Sequence, residues 1–437
     1  MRARGGAVIG AGDRSAPLAD ELVLDTLADG VVKLGLDGER VLVVVPDATR
    51  SVPLGELFAT VHDTLAGRAA TVDVLVALGT HQPMTPGQIA ARFGFADASA
   101  LAGRYPDVTF HNHEWADPAA FVDLGRIPAD ELAALSNGML AADVPVRVNR
   151  LVTEYDAALV LGPVFPHEVV GFSGGNKYFF PGISGPEVID VSHWLGALLT
   201  SAEIIGTPGT TPVRALVDRA AAYLPLRRLC AATVVAPDHH GAGMGVHGVY
   251  VGGCDDAWAA AAELSAHVHV RYLDRPVHRV VSVMPSMYDD IWTAAKGMYK
   301  VEPVVADGGE VVIVAPHIAT FSVTHDEHLR RIGYHCRDYF LAQLPSFADV
   351  PRGVLAHSTH LRGAGTYDAA AGVERCRIAV TLATGIGREE CEAVNLSWRP
   401  LSDVGALTGD PDTLVIPKAG ELLYRLTDGR GPGQAAR

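Results

Sequence analysis

The sequence predicts an α/β protein of two α/β domains with mostly parallel sheets and an active-site cleft between them. Three observations carry the prediction. At 437 residues the chain exceeds the length over which a single hydrophobic core keeps growing. Short β-branched runs recur that are apolar on both faces, as buried parallel strands are. Ala/Leu-rich segments lie between them and suit crossover helices.

The first strand is read in RVLVVVPDATR (40–50), the second in VDVLVALGTH (72–81) and the third in DAALVLGPVFPHE (156–168). LGELFATVHDTLAG (54–67) and TPGQIAARFG (85–94) read as helices between them. PEVIDVSHWLGALLTS (186–201) carries apolar residues at helical spacing, with Pro186 near its start. In the second half HRVVSVMPS (278–286), GGEVVIVAPH (308–317), RGVLAHSTH (352–360) and RCRIAVTLATG (375–385) read as strands, and DIWTAAKGM (290–298) as a helix. HVHVRYLDRP (267–276) is the expected crossing, which sets an N-terminal domain over 1–270, a C-terminal domain over 275–420 that closes the cleft, and a flexible tail at 428–437.

Composition narrows the function. Hydrophobic residues make up 49% and charged residues 19%, with a mean hydropathy of +0.19, as in a folded and rather apolar globular protein. A net charge of -15 argues against nucleic acid and anionic membrane as partners, since both call for a basic face. Cys230, Cys254, Cys336, Cys376 and Cys391 are an odd number without a CxxC pair, so neither a disulfide framework nor a zinc ribbon is indicated. With no signal-type N-terminus and no apolar run of membrane-spanning length, the expected location is the cytoplasm.

In parallel sheets, ligands bind beyond the carboxyl ends of strands. Asp47, Thr49 and Arg50 follow the first strand, His81 the second and His167 the third. Each has an ordinary alternative: Asp47 and Thr49 as a helix cap, His81 as a structural histidine. Their shared strand edge favours chemistry.

The stretch HEVVGFSGGNKYFFPGISG (167–185) is the most unusual in the chain. Gly174, Gly175 and the neighbouring glycines permit positive φ and close approach of a flat ligand. Lys177 stands beside Tyr178, Phe179 and Phe180, where lost solvation would suit its amine to covalent attachment, unless it is a snorkelling surface lysine. His193, in the middle of the 186–201 helix, is either a metal ligand or a core histidine.

These residues resemble the nickel-dependent lactate racemase family, the LarA family. The resemblance rests on DATR (47–50), GTH (79–81), HEVVGFSGGNK (167–177), His193 and Lys296, with coarse similarity along the rest of the chain. It implies racemisation or epimerisation of a 2-hydroxy acid by reversible hydride transfer through a 2-keto acid. The implied cofactor is a nickel-pincer nucleotide, a pyridinium-3,5-bisthiocarboxylic acid mononucleotide holding Ni(II). Lys177 matches its covalent attachment point and His193 the imidazole ligand of nickel, a donor set of soft sulfur and nitrogen that suits the metal. Asp47, Thr49, Gly174 and Gly175 match positions beside the cofactor. His81 and His167 match the two bases, and Arg50 and Lys296 the cations for the substrate carboxylate.

Trp292 and Thr293 stand where lactate racemase carries a Tyr-Gln pair, so the expected substrate is a 2-hydroxy acid other than lactate, longer or more oxygenated. The implied partners are that substrate and the enzymes that build the cofactor; homo-oligomer formation is left open.

The competing reading is a histidine-based zinc metallohydrolase, drawn from HNHE (111–114), DHH (238–240), THDEH (324–328) and HSTH (357–360), none with HExxH spacing. GAVIGAGDRS (6–15) lacks the third glycine of a dinucleotide fingerprint and is read as a decoy. A cofactor-binding protein without activity is the remaining alternative. His317, His360 and Arg362 follow expected strands without an assigned role.

Overall fold

A computed structural model describes residues 7–237 and 244–427, so the expected tail at 428–437 and the DHH stretch at 238–240 lie outside the described residues. The chain divides into two compact units. One holds Met1–Phe165, Phe172–Ile189 and Pro208–Val268; the other holds Pro166–Gly171, Asp190–Thr207 and His269–Arg437. The division is not the pair of unbroken intervals expected at 1–270 and 275–420: His167 and His193 cluster with the C-terminal residues, while Lys177 stays with the first unit.

The first unit is built on a seven-stranded sheet in the order Ile9–Gly12, Met244–Gly253, Arg227–Pro237, Ala157–Pro163, Arg40–Pro46, Thr71–Ala77, Phe110–Asn112. The last five run parallel, with Val43 opposite both Leu159 and Val74. Val41 to Val45 are fully buried, which is why that run is apolar without alternation. Helix Leu54–Leu65 presents Leu54, Leu57, Phe58, Val61 and Leu65 as one apolar stripe. Phe58 meets Phe93 and Tyr105 edge-on, each at 5.1 Å, and cutting it to Ala would cost ~3–5 kcal/mol. A capping box between Thr85 and Gln88 starts helix Pro86–Arg92.

Ile9–Gly12 is an antiparallel edge strand paired with Met244–Gly253, and the next helix begins only at Asp20. Cβ atoms at Gly10 and Gly12 would run into Tyr250. The glycines of that decoy therefore make room for an aromatic ring.

The second unit holds a parallel five-stranded sheet in the order Ser397–Trp398, Ala379–Thr384, Val305–Ala315, Val277–Val283, Thr413–Ile416. Val281, Val312 and Ala383 form the centre of its core. The stretch expected as a strand at 352–360 is helix Arg352–Arg362. Its residues from Gly353 to Leu361 are all buried, and an element buried all round shows no period that separates helix from strand. The expected helix at 290–298 is two short turns, Ile291–Ala294 and Lys296–Tyr299. Among the described residues, no helix is long and apolar enough to cross a membrane.

Candidate active site

Strand Arg40–Pro46 delivers Asp47 to the edge of the first unit's sheet, and strand Thr71–Ala77 delivers His81 to the same edge. The Asp47 carboxylate divides its oxygens. Oδ1 accepts from the Thr49 N–H at 3.0 Å and the Thr49 hydroxyl at 2.7 Å, and Oδ2 pairs with Nδ1 of His81. Burial works to raise the Asp47 pKa, but His81, Arg50 and the Thr49 hydroxyl together hold it far below the usual carboxylate range. An ionised carboxylate can only accept, so Nδ1 of His81 carries the proton and a neutral His81 bears its lone pair on Nε2. The ring keeps 31% side-chain exposure, enough to meet a ligand.

Arg50 donates from Nη1 to the carbonyl and hydroxyl of Thr49, each at 3.1 Å, and its guanidinium lies 5.3 Å from the centre of the Phe165 ring. Nε and Nη2 remain on the side of the fork that suits a carboxylate. Arg92 fastens this turn by donating to the Arg50 carbonyl at 2.9 Å.

Lys177 sits on a single 3₁₀ turn, Gly175–Tyr178, and is partly exposed. The residue before it locks the turn. Asn176 donates to Asp218 at 2.9 Å and Asp255 at 2.6 Å and accepts from Arg228 at 2.8 Å. The fully buried Arg214 donates to the carbonyls of Phe172 at 2.5 Å and Gly174 at 3.2 Å while lying 4.0 Å over Trp258. Gly174 and Gly175 have φ of 82° and 58°, and Cβ atoms there would meet Val164 at 2.5 Å and Trp258 at 2.9 Å. Packing within the protein thus calls for glycine at both positions. The Gly79 N–H donates to the Gly182 carbonyl at 2.9 Å, which ties the His81 turn to the Lys177 loop.

In the second unit His167 is buried, and its Nδ1 accepts from the Val169 N–H at 3.1 Å with Glu168 Oε2 3.3 Å from the same atom. A neutral His167 therefore carries its proton on Nε2, the opposite tautomer to His81. A shift of that proton to Nδ1 would place it before Glu168.

His193 lies on helix Pro186–Leu199, partly exposed. Two clamps hold this segment to helix Arg352–Arg362: Asp190 accepts from the Gly353 N–H at 2.9 Å, and the Ser201 hydroxyl meets Nδ1 of His360. His357 and His360 lie near His193, and burial pushes the His360 pKa down to about 4.

Lys296 places its ammonium 4.4 Å over the ring of Tyr288. Trp292 stacks on His357 at 4.0 Å. Thr293 donates its hydroxyl to Asp290 at 2.7 Å and its N–H to the same carboxylate at 2.8 Å, so Asp290 caps helix Ile291–Ala294 and Thr293 anchors the cap from inside the first turn. His317 meets the Tyr288 carbonyl at 2.9 Å, while His360 and Arg362 are helical and do not follow a strand.

Sequence reasoning gave no role to Glu168, Asn176, Arg92 or Ser201, and weighed His357 only as a zinc ligand. Glu168 and Asn176 stood inside the quoted signature and could have been weighed. Ser201 and His360 are separated by 159 positions with nothing local to link them.

The Lactate racemase N-terminal domain family matches residues 25–204. A Thermotoga maritima protein of known crystal structure is 34% identical with a TM-score of 0.85, covering 94% of this chain and 99% of that one. The chain belongs to the lactate racemase (LarA-like) family. Among its relatives, the lactate racemase of Thermoanaerobacterium thermosaccharolyticum is 23% identical over 63% of this chain, and that of Lactiplantibacillus plantarum 24% over 41%. The matches span 60% and 37% of those two proteins' lengths. The lactate racemase apoprotein structure from T. thermosaccharolyticum covers 94% of each chain at 18% identity and a TM-score of 0.67, a likeness of fold. Within the family frame the signature residues Asp47, Arg50, His81, His167, Lys177 and His193 all fall inside the matched 25–204 region, and Lys296 falls beyond it.

Proposed function

We propose that this family member is a racemase or epimerase of a 2-hydroxy acid other than lactate, working with a nickel-pincer nucleotide attached to Lys177. The observation that carries the reading is the Asp47–His81 pair, an ionised carboxylate that leaves Nε2 of a partly exposed histidine as a base, with Arg50 on the same turn.

The residues fit such a cofactor. Lys177 is partly exposed on a turn that Asn176 immobilises, which suits an amine acylated by a bulky group. His193 offers one imidazole. Among the described residues no group of three or more His, Cys, Asp or Glu is set to hold a metal ion. A metal that arrives already chelated needs no such group, whereas a hydrolytic zinc takes three protein ligands, so the donor set favours the racemase over the metallohydrolase.

Lys177 and His193 would hold the nucleotide, which would supply a reversible acceptor for the C2 hydrogen and its electron pair. Arg50 and Lys296 bind and orient the carboxylate. His81 removes the proton of the C2 hydroxyl at Nε2 and returns it, and Asp47 steadies the imidazolium formed. His167 does the same for the other enantiomer once its proton has moved to Nδ1, where Glu168 accepts it.

The test is chiral chromatography of a panel of single-enantiomer 2-hydroxy acids incubated with protein co-produced with the cofactor-building enzymes. Inversion of at least one acid is expected, with activity lost in His81→Ala. Absence of inversion together with stoichiometric zinc in the purified protein would overturn the reading.

A further inference from the structure

Among the described residues, two imidazole nitrogens of the second unit have no hydrogen-bond partner. Nε2 of His357 and Nε2 of His360 are both buried, and neither finds a hydrogen-bonding group among the described residues. The residues themselves are 7% and 4% exposed. They lie at i and i+3 on helix Arg352–Arg362 and so share a face.

Neither ring is free to turn toward another partner. His360 is pinned at Nδ1 by the Ser201 hydroxyl, and His357 is stacked on Trp292 at 4.0 Å with an interplanar angle of 20°. The clamp between Asp190 and the Gly353 N–H fixes the start of the same helix against the segment that bears His193. Buried polar atoms are almost always satisfied, so two fixed and unsatisfied nitrogens side by side point to a ligand group that completes them.

That group is constrained by chemistry. The methyl of lactate offers no hydrogen bond. A hydroxyl both donates and accepts, and so satisfies an imidazole nitrogen in either tautomer. We propose that His357 and His360 bind a hydroxyl carried beyond C2, which makes the substrate a polyhydroxylated 2-hydroxy acid. The inference rests on the racemase reading and narrows it from 2-hydroxy acids in general to those with a hydroxyl at C3 or further along.

Matched pairs of acids test it on the cofactor-loaded protein: lactate against glycerate, and 2-hydroxybutanoate against 2,3-dihydroxybutanoate. Each pair differs by one hydroxyl. The expected kcat/KM favours the hydroxylated member by about 10²-fold or more. His357→Phe and His360→Phe, which keep the ring volume, should each cut that preference by about tenfold or more, and Ser201→Ala, which keeps the imidazole and removes its pin, should cut it in part; circular dichroism checks that each variant is folded. A preference near one in the wild type, or one unchanged in both phenylalanine variants, overturns the inference and leaves the racemase reading standing. Inversion of no acid at all removes the racemase reading, and the inference with it.

Discussion

The carboxylate of Asp47 holds Nδ1 of His81 across 34 positions of sequence, and the backbone and hydroxyl of Thr49 claim its other oxygen. The arrangement fixes which edge of the imidazole is basic. In Asp47→Asn the two Thr49 donors keep the amide oxygen, so the amide NH₂ turns to His81 and forces the proton onto Nε2. The predicted result is a folded protein whose kcat falls by about 10²-fold or more, because the wrong tautomer faces the substrate. A pH–rate profile with chiral product analysis checks it.

The Lys177 turn depends on glycine for packing. Ala at Gly174 meets Val164 in a positive-φ conformation, and Ala at Gly175 meets Trp258. Each substitution is predicted to destabilise the protein by ~1–3 kcal/mol, read as a lower urea midpoint with the slope unchanged. A neutral outcome would show that the loop can shift and that its geometry is not set by Val164 and Trp258.

His113 should make the first unit acid-sensitive. The ring is buried between the Ser184 carbonyl and the Asn149 amide, at 3.2 Å each, and burial outweighs the Ser184 bond to push its pKa from 6.5 down to about 4. Between those values the unfolded chain binds a proton that the folded chain refuses. The stabilisation is therefore present above about pH 6.5 and lost as pH falls toward 4, by at most ~3 kcal/mol. Urea melts of the wild type and His113→Gln over that window should show a shallower pH slope for the variant.

What the sequence made legible is what short-range physics encodes. Val41 to Val45 and Leu159 to Leu161 announced buried parallel strands because both faces are covered, and the polar residues after those strands marked the functional edge. Arg352 to Arg362 misled because burial on every side erases the helical period. The pinning of His360 by Ser201 and the locking of Lys177 through Arg214 and Trp258 were invisible, since each joins distant segments through single side-chain contacts. The same holds for the allocation of His167 and His193 to the second unit, which is decided by packing of segments and not by local pattern.

The central claim is that Lys177 carries a nickel-bearing nucleotide, and intact-protein mass spectrometry with nickel analysis tests it most directly. Protein co-produced with the cofactor-building enzymes is compared with Lys177→Ala produced in the same way. The account predicts an adduct of nucleotide mass and about one nickel per chain in the wild type, both lost in the variant. An unmodified wild-type mass, with no nickel and one zinc per chain, would contradict it.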